Sequence, residues 1–147
     1  MTTAIAADPV AVANRLRPVL FKLNRALRRE LHSLGVTGGQ VSLLVQIHKQ
    51  RGIGVGELAS REGMSAPGMS KYIARLERDA LVERGPVGGD RRRIGLSLTA
   101  SGERVLRSVR SRRTAWLAAR LRELEPDEIG AIDAAIEPLT RLLEVEA

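Results

Sequence analysis

The segment "GPVGGDRRRIGLSLTASG", Gly85 to Gly102, gathers the residues best suited to chemistry. Asp90 precedes Arg91, Arg92 and Arg93, directly after the paired glycines Gly88 and Gly89. Guanidinium groups are planar, bidentate donors that match phosphate oxygens and guanine edges. The neighbouring carboxylate could form an exposed ion pair worth at most about 1 kcal/mol. The alternative is that it orients one guanidinium toward a binding partner. Little in the chain suits catalysis. Serines and threonines are scattered, and no nucleophile–base spacing appears. The only histidines, His32 and His48, fall on different predicted helices without a local carboxylate pair, which argues against a metal site. With no cysteine there is no thiolate metal site, disulfide or thiol redox switch. These residues describe a non-enzyme that uses no cofactor.

The charge points the same way. The net charge is +7, but the segment from Glu123 to Ala147 holds eight acids against the single base Arg141. That segment is therefore −7, and the 122 residues before it carry +14. Such a body favours a polyanionic partner, because neutralising phosphates releases condensed counterions. Of the 24 basic residues, 21 are arginine, which suits bidentate phosphate recognition. No apolar run approaches the roughly 18 residues of a membrane span, and the N-terminus lacks the pattern of a signal peptide. A cytoplasmic protein without a membrane partner is the expectation.

The elements that would position these groups are mainly helical. Asp8-Pro9 is a helix start, and Leu16, Leu20, Leu23, Leu27, Leu31 and Leu34 mark its apolar stripe, with a kink or restart expected at Pro18 and an end at Gly35. Thr37 and Gln40 have the spacing of a capping box, and Val41, Leu44, Val45 and His48 would share one face of the helix that follows. A two-turn helix carries Leu58 and Ala59. Ser65 then caps a helix whose inward residues are Met69, Ile73, Leu76 and Ala80. Two short helices joined by a glycine turn, the second basic near its start, describe a helix-turn-helix. Leu81–Arg84 reads as a strand, Gly85 to Gly89 as turn residues, and Ile94, Leu96 and Leu98 as an alternating strand. This hairpin would be a wing with Asp90 to Arg93 at or near its tip. Thr99 starts a long helix with Leu106, Val109, Trp116, Leu117, Leu121 and Leu124 as its apolar set. Pro126 starts a last helix with the seam Ile129, Ile132, Ile136, Leu139 and Leu143, bent at Pro138.

The order of these elements and the wing residues resemble the MarR (multiple antibiotic resistance regulator) family. The most specific match is "DRRRIGLSLTASG", which supplies Asp90, Arg92, Leu96, Leu98, Thr99 and Gly102, supported by "ELA" at Glu57 to Ala59 and by Leu81 to Arg84. The resemblance spans about Asp8 to Leu143. It implies a winged helix-turn-helix protein with N- and C-terminal dimerisation helices. An N-terminal dimerisation helix would cover 8–34 and a DNA-binding domain 37–98, with the recognition helix near 65–79 and the wing near 81–98. C-terminal dimerisation helices would occupy 99–147. It further implies a homodimer interleaved through Leu16, Leu20, Leu121, Ile129, Ile132, Ile136, Leu139 and Leu143. Ser65, Ala66, Ser70, Lys71 and Arg75 should line the major groove of double-stranded DNA. Arg92 should reach the minor groove braced by Asp90, with Arg91 and Arg93 near phosphates. Many relatives bind a phenolic or anionic effector, for which Phe21, Leu44, His48 and Trp116 are the candidate pocket. Ordinary packing roles for Phe21 and Trp116 are the favoured alternative. Two departures stand out. Ala80 occupies a position where glycine is usual, and a left-handed alanine costs roughly 1–2 kcal/mol, so the recognition helix is expected to end in another way. Gly54 replaces the common Thr or Ser cap.

The resulting expectation is a dimeric transcriptional regulator, a repressor, on a pseudo-palindromic operator. The competing readings are a nucleoid-type DNA binder and a dimeric protein-interaction module.

Overall fold

The computed structural model describes residues 6–144. The helices are α1 (Pro9–Arg29), α2 (Gly38–Lys49), α3 (Val55–Arg61), α4 (Ala66–Arg78), α5 (Ala100–Leu121) and α6 (Pro126–Leu143). One antiparallel hairpin, β1 (Val82–Val87) and β2 (Asp90–Leu98), sits between α4 and α5. The architecture is mainly α with a small β wing, as the residue patterns indicate. The chain divides within α5 into two compact units, one ending at Arg112 and the other beginning at Arg113.

In the first unit the helix starts follow local chemistry. The Asp8 carboxylate accepts the Val10 N–H at 3.3 Å, and Pro9 loses no hydrogen bond at a position whose N–H would be free. The helix then runs unbroken through Pro18, so the expected restart does not occur. It ends at Arg29, earlier than the leucine stripe implies. A tighter turn at His32–Leu34 follows, closed by Gly35 at φ 72°. That turn sends Leu31, fully buried, into the core of the following helices and separates it from the rest of the stripe. At α2 the predicted capping box is formed: the Gln40 N–H donates to Thr37 Oγ1 at 3.1 Å, and the Thr37 N–H donates to Gln40 Oε1 at 2.9 Å.

The core joins Val41, Leu43, Leu44 and Ile47 of α2 with Leu58 and Ala59 of α3 and Met69, Ile73 and Leu76 of α4. Leu31, Val36, Ile53, Leu81, Val82, Leu96 and Val109 complete it. The buried arc of α2 is wider than one helical stripe, because Leu43 and Ile47 are covered as well, while His48 points out. Ala80 is exposed instead of inward-facing, and it does take the left-handed conformation, φ 58°.

The wing strands are longer, and their turn shorter, than the glycines imply. Gly88 and Gly89, at φ 60° and 76°, form a two-residue turn whose positive angles match the twist of a hairpin. Gly85 and Pro86, expected in the turn, pair instead with Gly95 and Ile94. A third extended segment joins the sheet edge at Ile53, where the Leu96 N–H donates to the Ile53 carbonyl and the Gly52 N–H to the Leu96 carbonyl, both at 2.8 Å. Gly95 permits this approach. A Cβ there would fall inside any allowed contact distance of the Gly52 carbonyl oxygen.

In the second unit, the Glu125 N–H donates to the Glu128 carboxylate at 3.0 Å at the start of α6, and the helix continues without a break through Pro138. None of its residues is buried.

Candidate nucleic-acid interface

The wing arginines owe their display to a register jump. Val87 pairs with Asp90, but the next residue back, Pro86, pairs with Ile94. The residues between, Arg91, Arg92 and Arg93, therefore have no partner on β1 and form a three-residue bulge. A bulge bends a strand, frees its backbone from the ladder and re-aims its side chains. All three arginines are exposed, as is Ile94 beside them. Asp90 braces Arg92 by a different atom from the one expected. Its Oδ1 accepts the Arg92 backbone N–H at 3.0 Å, fixing the chain path and not the guanidinium. Aspartate makes such bonds to its own backbone two residues on. The guanidinium itself is left for an external acceptor.

On α4, Ser65 is the N-cap, with its hydroxyl oxygen accepting the Gly68 N–H at 3.1 Å. That bond uses one of the two acceptor positions of the hydroxyl and leaves its proton and the other lone pair available. Ala66, Lys71 and Arg75 are exposed and Ser70 is half-buried, on the sides of the helix away from Met69, Ile73 and Leu76. A cleft of about 490 Å³ runs along this outer face, lined by Gly68, Lys71, Tyr72, Ala74, Arg75 and Arg78. Tyr72 and Arg75 also border a second cleft of about 230 Å³ with Thr37, Gln40, Glu62 and Met64.

One link between α4 and the wing has no signal in residue spacing. Arg84 Nε on β1 bonds Glu77 Oε1 near the end of α4 at 2.8 Å, both side chains being about one-third exposed. The two residues are seven apart across a turn, a separation for which no helical or strand rule predicts contact.

Phe21, Leu44, His48 and Trp116, the residues expected at an effector pocket, line neither of these clefts. Leu44 is fully buried in the core, and Phe21 is 67% exposed on α1. His48 sits at the surface with Nδ1 3.0 Å from the Glu103 carboxylate of α5. In the second unit Trp116 is half-buried, with Arg120 stacked over its ring at 5.3 Å. The residues expected at a dimer interface are largely uncovered in the single chain. Leu20, Ile132 and Ile136 are exposed, at 47%, 44% and 57%, and Ile129, Leu139 and Leu143 are exposed too. Leu16 and Leu121 are half-buried.

A short α2–α3–α4 core, an exposed basic helix and an arginine-tipped hairpin held against it define a winged helix-turn-helix protein. Comparison with known proteins narrows the class. A model of the MarR family matches residues 34–93. An uncharacterized HTH-type transcriptional regulator of Mycobacterium bovis is 30% identical over 133 residues, covering 90% of this chain and 93% of its own. A solved Pseudomonas aeruginosa protein superposes at TM-score 0.81 with 30% identity, over 93% of this chain and 96% of its own. A MepR mutant of S. aureus, solved bound to an oligodeoxyribonucleotide, shares the fold at TM-score 0.68 and 22% identity, over 90% of this chain and 97% of its own. The chain belongs to the MarR family of transcriptional regulators. Among the described residues, no helix is long and apolar enough to cross a membrane.

Proposed function

We propose that this regulator binds a pseudo-palindromic operator in double-stranded DNA as a homodimer and represses transcription from it. The observation that carries the reading is the arginine bulge of the wing beside the exposed face of α4. Lys71 and Arg75 supply phosphate contacts, Ser65, Ala66 and Ser70 meet base edges in the major groove, and Arg92 enters the minor groove. Arg91 and Arg93 contact flanking phosphates. An oligodeoxyribonucleotide bound to a structural neighbour is compatible with this use of the fold.

The dimer is supported by unpartnered apolar faces. Neither α1 nor α6 has a buried residue, yet α1 exposes Val19, Leu20, Phe21 and Leu23, and α6 exposes its isoleucine seam. Covering such area gains about 25 cal/mol per Å². Two-fold symmetry then places the half-sites one helical turn, about 34–36 Å, apart.

Mobility-shift titrations on a sequence selected from random double-stranded DNA and on random duplex, at several salt concentrations, test the proposal. Steep salt dependence with a large operator preference supports it. Equal affinity for every duplex makes the protein a nucleoid-type binder, and no DNA binding makes the basic surface a docking site for an acidic protein. Adding phenolic or anionic small molecules to the operator complex tests ligand release in the same format.

A further inference from the structure

The DNA-binding reading uses the exposed side chains of α4 and the wing and leaves the strained turn between them unexplained. Ala80 is the one non-glycine residue with positive φ among the described residues. The N–H groups of Ala80 and Leu81 close the helix end from within, donating to the Glu77 and Leu76 carbonyls, each at 3.0 Å. Their carbonyls turn the other way, toward the start of α5. Thr99 Oγ1 donates to the Ala80 carbonyl at 2.6 Å, and the Thr99 N–H donates to the Leu81 carbonyl at 3.1 Å. The same hydroxyl oxygen accepts the Gly102 N–H at 3.0 Å, capping α5. Gly102 has no Cβ, and one would collide with the Leu81 carbonyl oxygen. The hydroxyl thus ties the Ala80 turn, where α4 gives way to the wing, to the first turn of α5, and the Thr99 N–H adds a bond to Leu81. An alanine in this conformation persists only where the surroundings over-determine it, whereas glycine adopts it unaided.

We infer that Thr99 is a positioning residue for DNA recognition: its hydroxyl holds the left-handed Ala80 turn and so fixes the angle at which α4 and the wing are presented together. The inference rests on α4 and the wing being the DNA-contacting elements. Thr99 itself touches no nucleic acid, since both partners of its hydroxyl are backbone groups. Without that hydroxyl Ala80 relaxes toward negative φ and turns β1 relative to α4. The major-groove and wing contacts then no longer fit one duplex together. Specific binding needs both at once, while phosphate attraction to random DNA does not.

The test compares wild type, Thr99→Ser, Thr99→Val and Thr99→Val combined with Ala80→Gly. Each is titrated with a selected operator and with random duplex, below its melting temperature. Thr99→Val should lose operator affinity by about tenfold, equivalent to about 1.4 kcal/mol, with random-duplex affinity unchanged. Thr99→Ser should retain the operator preference. Ala80→Gly should restore it in the valine background, because glycine takes the turn without the hydroxyl. A valine variant that melts earlier yet keeps the wild-type operator-to-random ratio overturns the inference, as does failure of Ala80→Gly to rescue. If wild type itself prefers no sequence, the assignment of α4 and the wing to operator DNA falls, and this inference with it.

Discussion

Arg92 differs from its two neighbours in one respect: its backbone is pinned by the Asp90 carboxylate while its guanidinium stays free. A side chain on a fixed backbone loses less freedom on binding, which favours Arg92 as the groove contact. Arg92→Ala should therefore cost about 1–3 kcal/mol of operator binding and relax specificity at one position, without changing the melting temperature. Arg91→Ala and Arg93→Ala should instead weaken binding alike on all sequences and lower the salt slope by about 1 each. Titrations against matched operator variants at several salt concentrations separate the two patterns. Ala80→Gly should raise stability by about 1–2 kcal/mol through relief of strain, visible as a higher denaturant midpoint. An unchanged midpoint would mean that the turn stores no strain. At this scale residue types and spacing are legible in the sequence and the atoms that meet are not. Aspartate and arginine two apart announce a pairing, but whether the carboxylate meets guanidinium or backbone depends on a bulge whose register is set by strand partners. The strain at Ala80 is legible as a departure from the family pattern. That it is tolerated is not, because its restraint comes from Thr99, nineteen residues on.

Elements whose ends are fixed by neighbours in sequence are the legible ones. The Thr37–Gln40 box, the Ser65 cap and the Asp8-Pro9 start all act within three residues, and each appears where residue type and spacing place it. Elements that end for non-local reasons are not. The first helix stops at Arg29 because Leu31 is drawn into the core of the other helices, and β1 runs past Gly85 because Gly95 and Ile94 of β2 pair with Gly85 and Pro86. The glycines of the wing motif have similarly distant reasons. Gly95→Ala and Gly102→Ala each drive a Cβ into a backbone carbonyl, at Gly52 and Leu81 respectively. Backbone cannot swing aside as a flexible side chain can, so each substitution should cost about 1–3 kcal/mol or more and lower the chemical-denaturation midpoint accordingly. Gly56→Ala, where nothing lies within contact range of the new methyl, is the matched control and should leave the midpoint unchanged or slightly raised.

For the whole molecule, the question is what covers α1 and α6. A single chain leaves Phe21, Ile132 and Ile136 in water, and a heptad-like seam on α6 is suited to another helix. Ile132→Glu places a charge on that seam and should convert the proposed dimer to monomer in sedimentation analysis while the winged unit stays folded. Operator affinity should then fall far more than random-duplex affinity, because only a dimer spans two half-sites. The apolar seam and the segregation of charge are both legible in the sequence, since each is a property of residue order alone. Which faces meet across a dimer is a property of two chains and cannot be read from one. The most direct measurement of the central claim is selection of bound sequences from random double-stranded DNA. The account predicts a two-fold symmetric motif with half-site centres about 10–10.5 base pairs, or a multiple of that, apart. A single unpaired half-site, or no enriched motif at all, would contradict it.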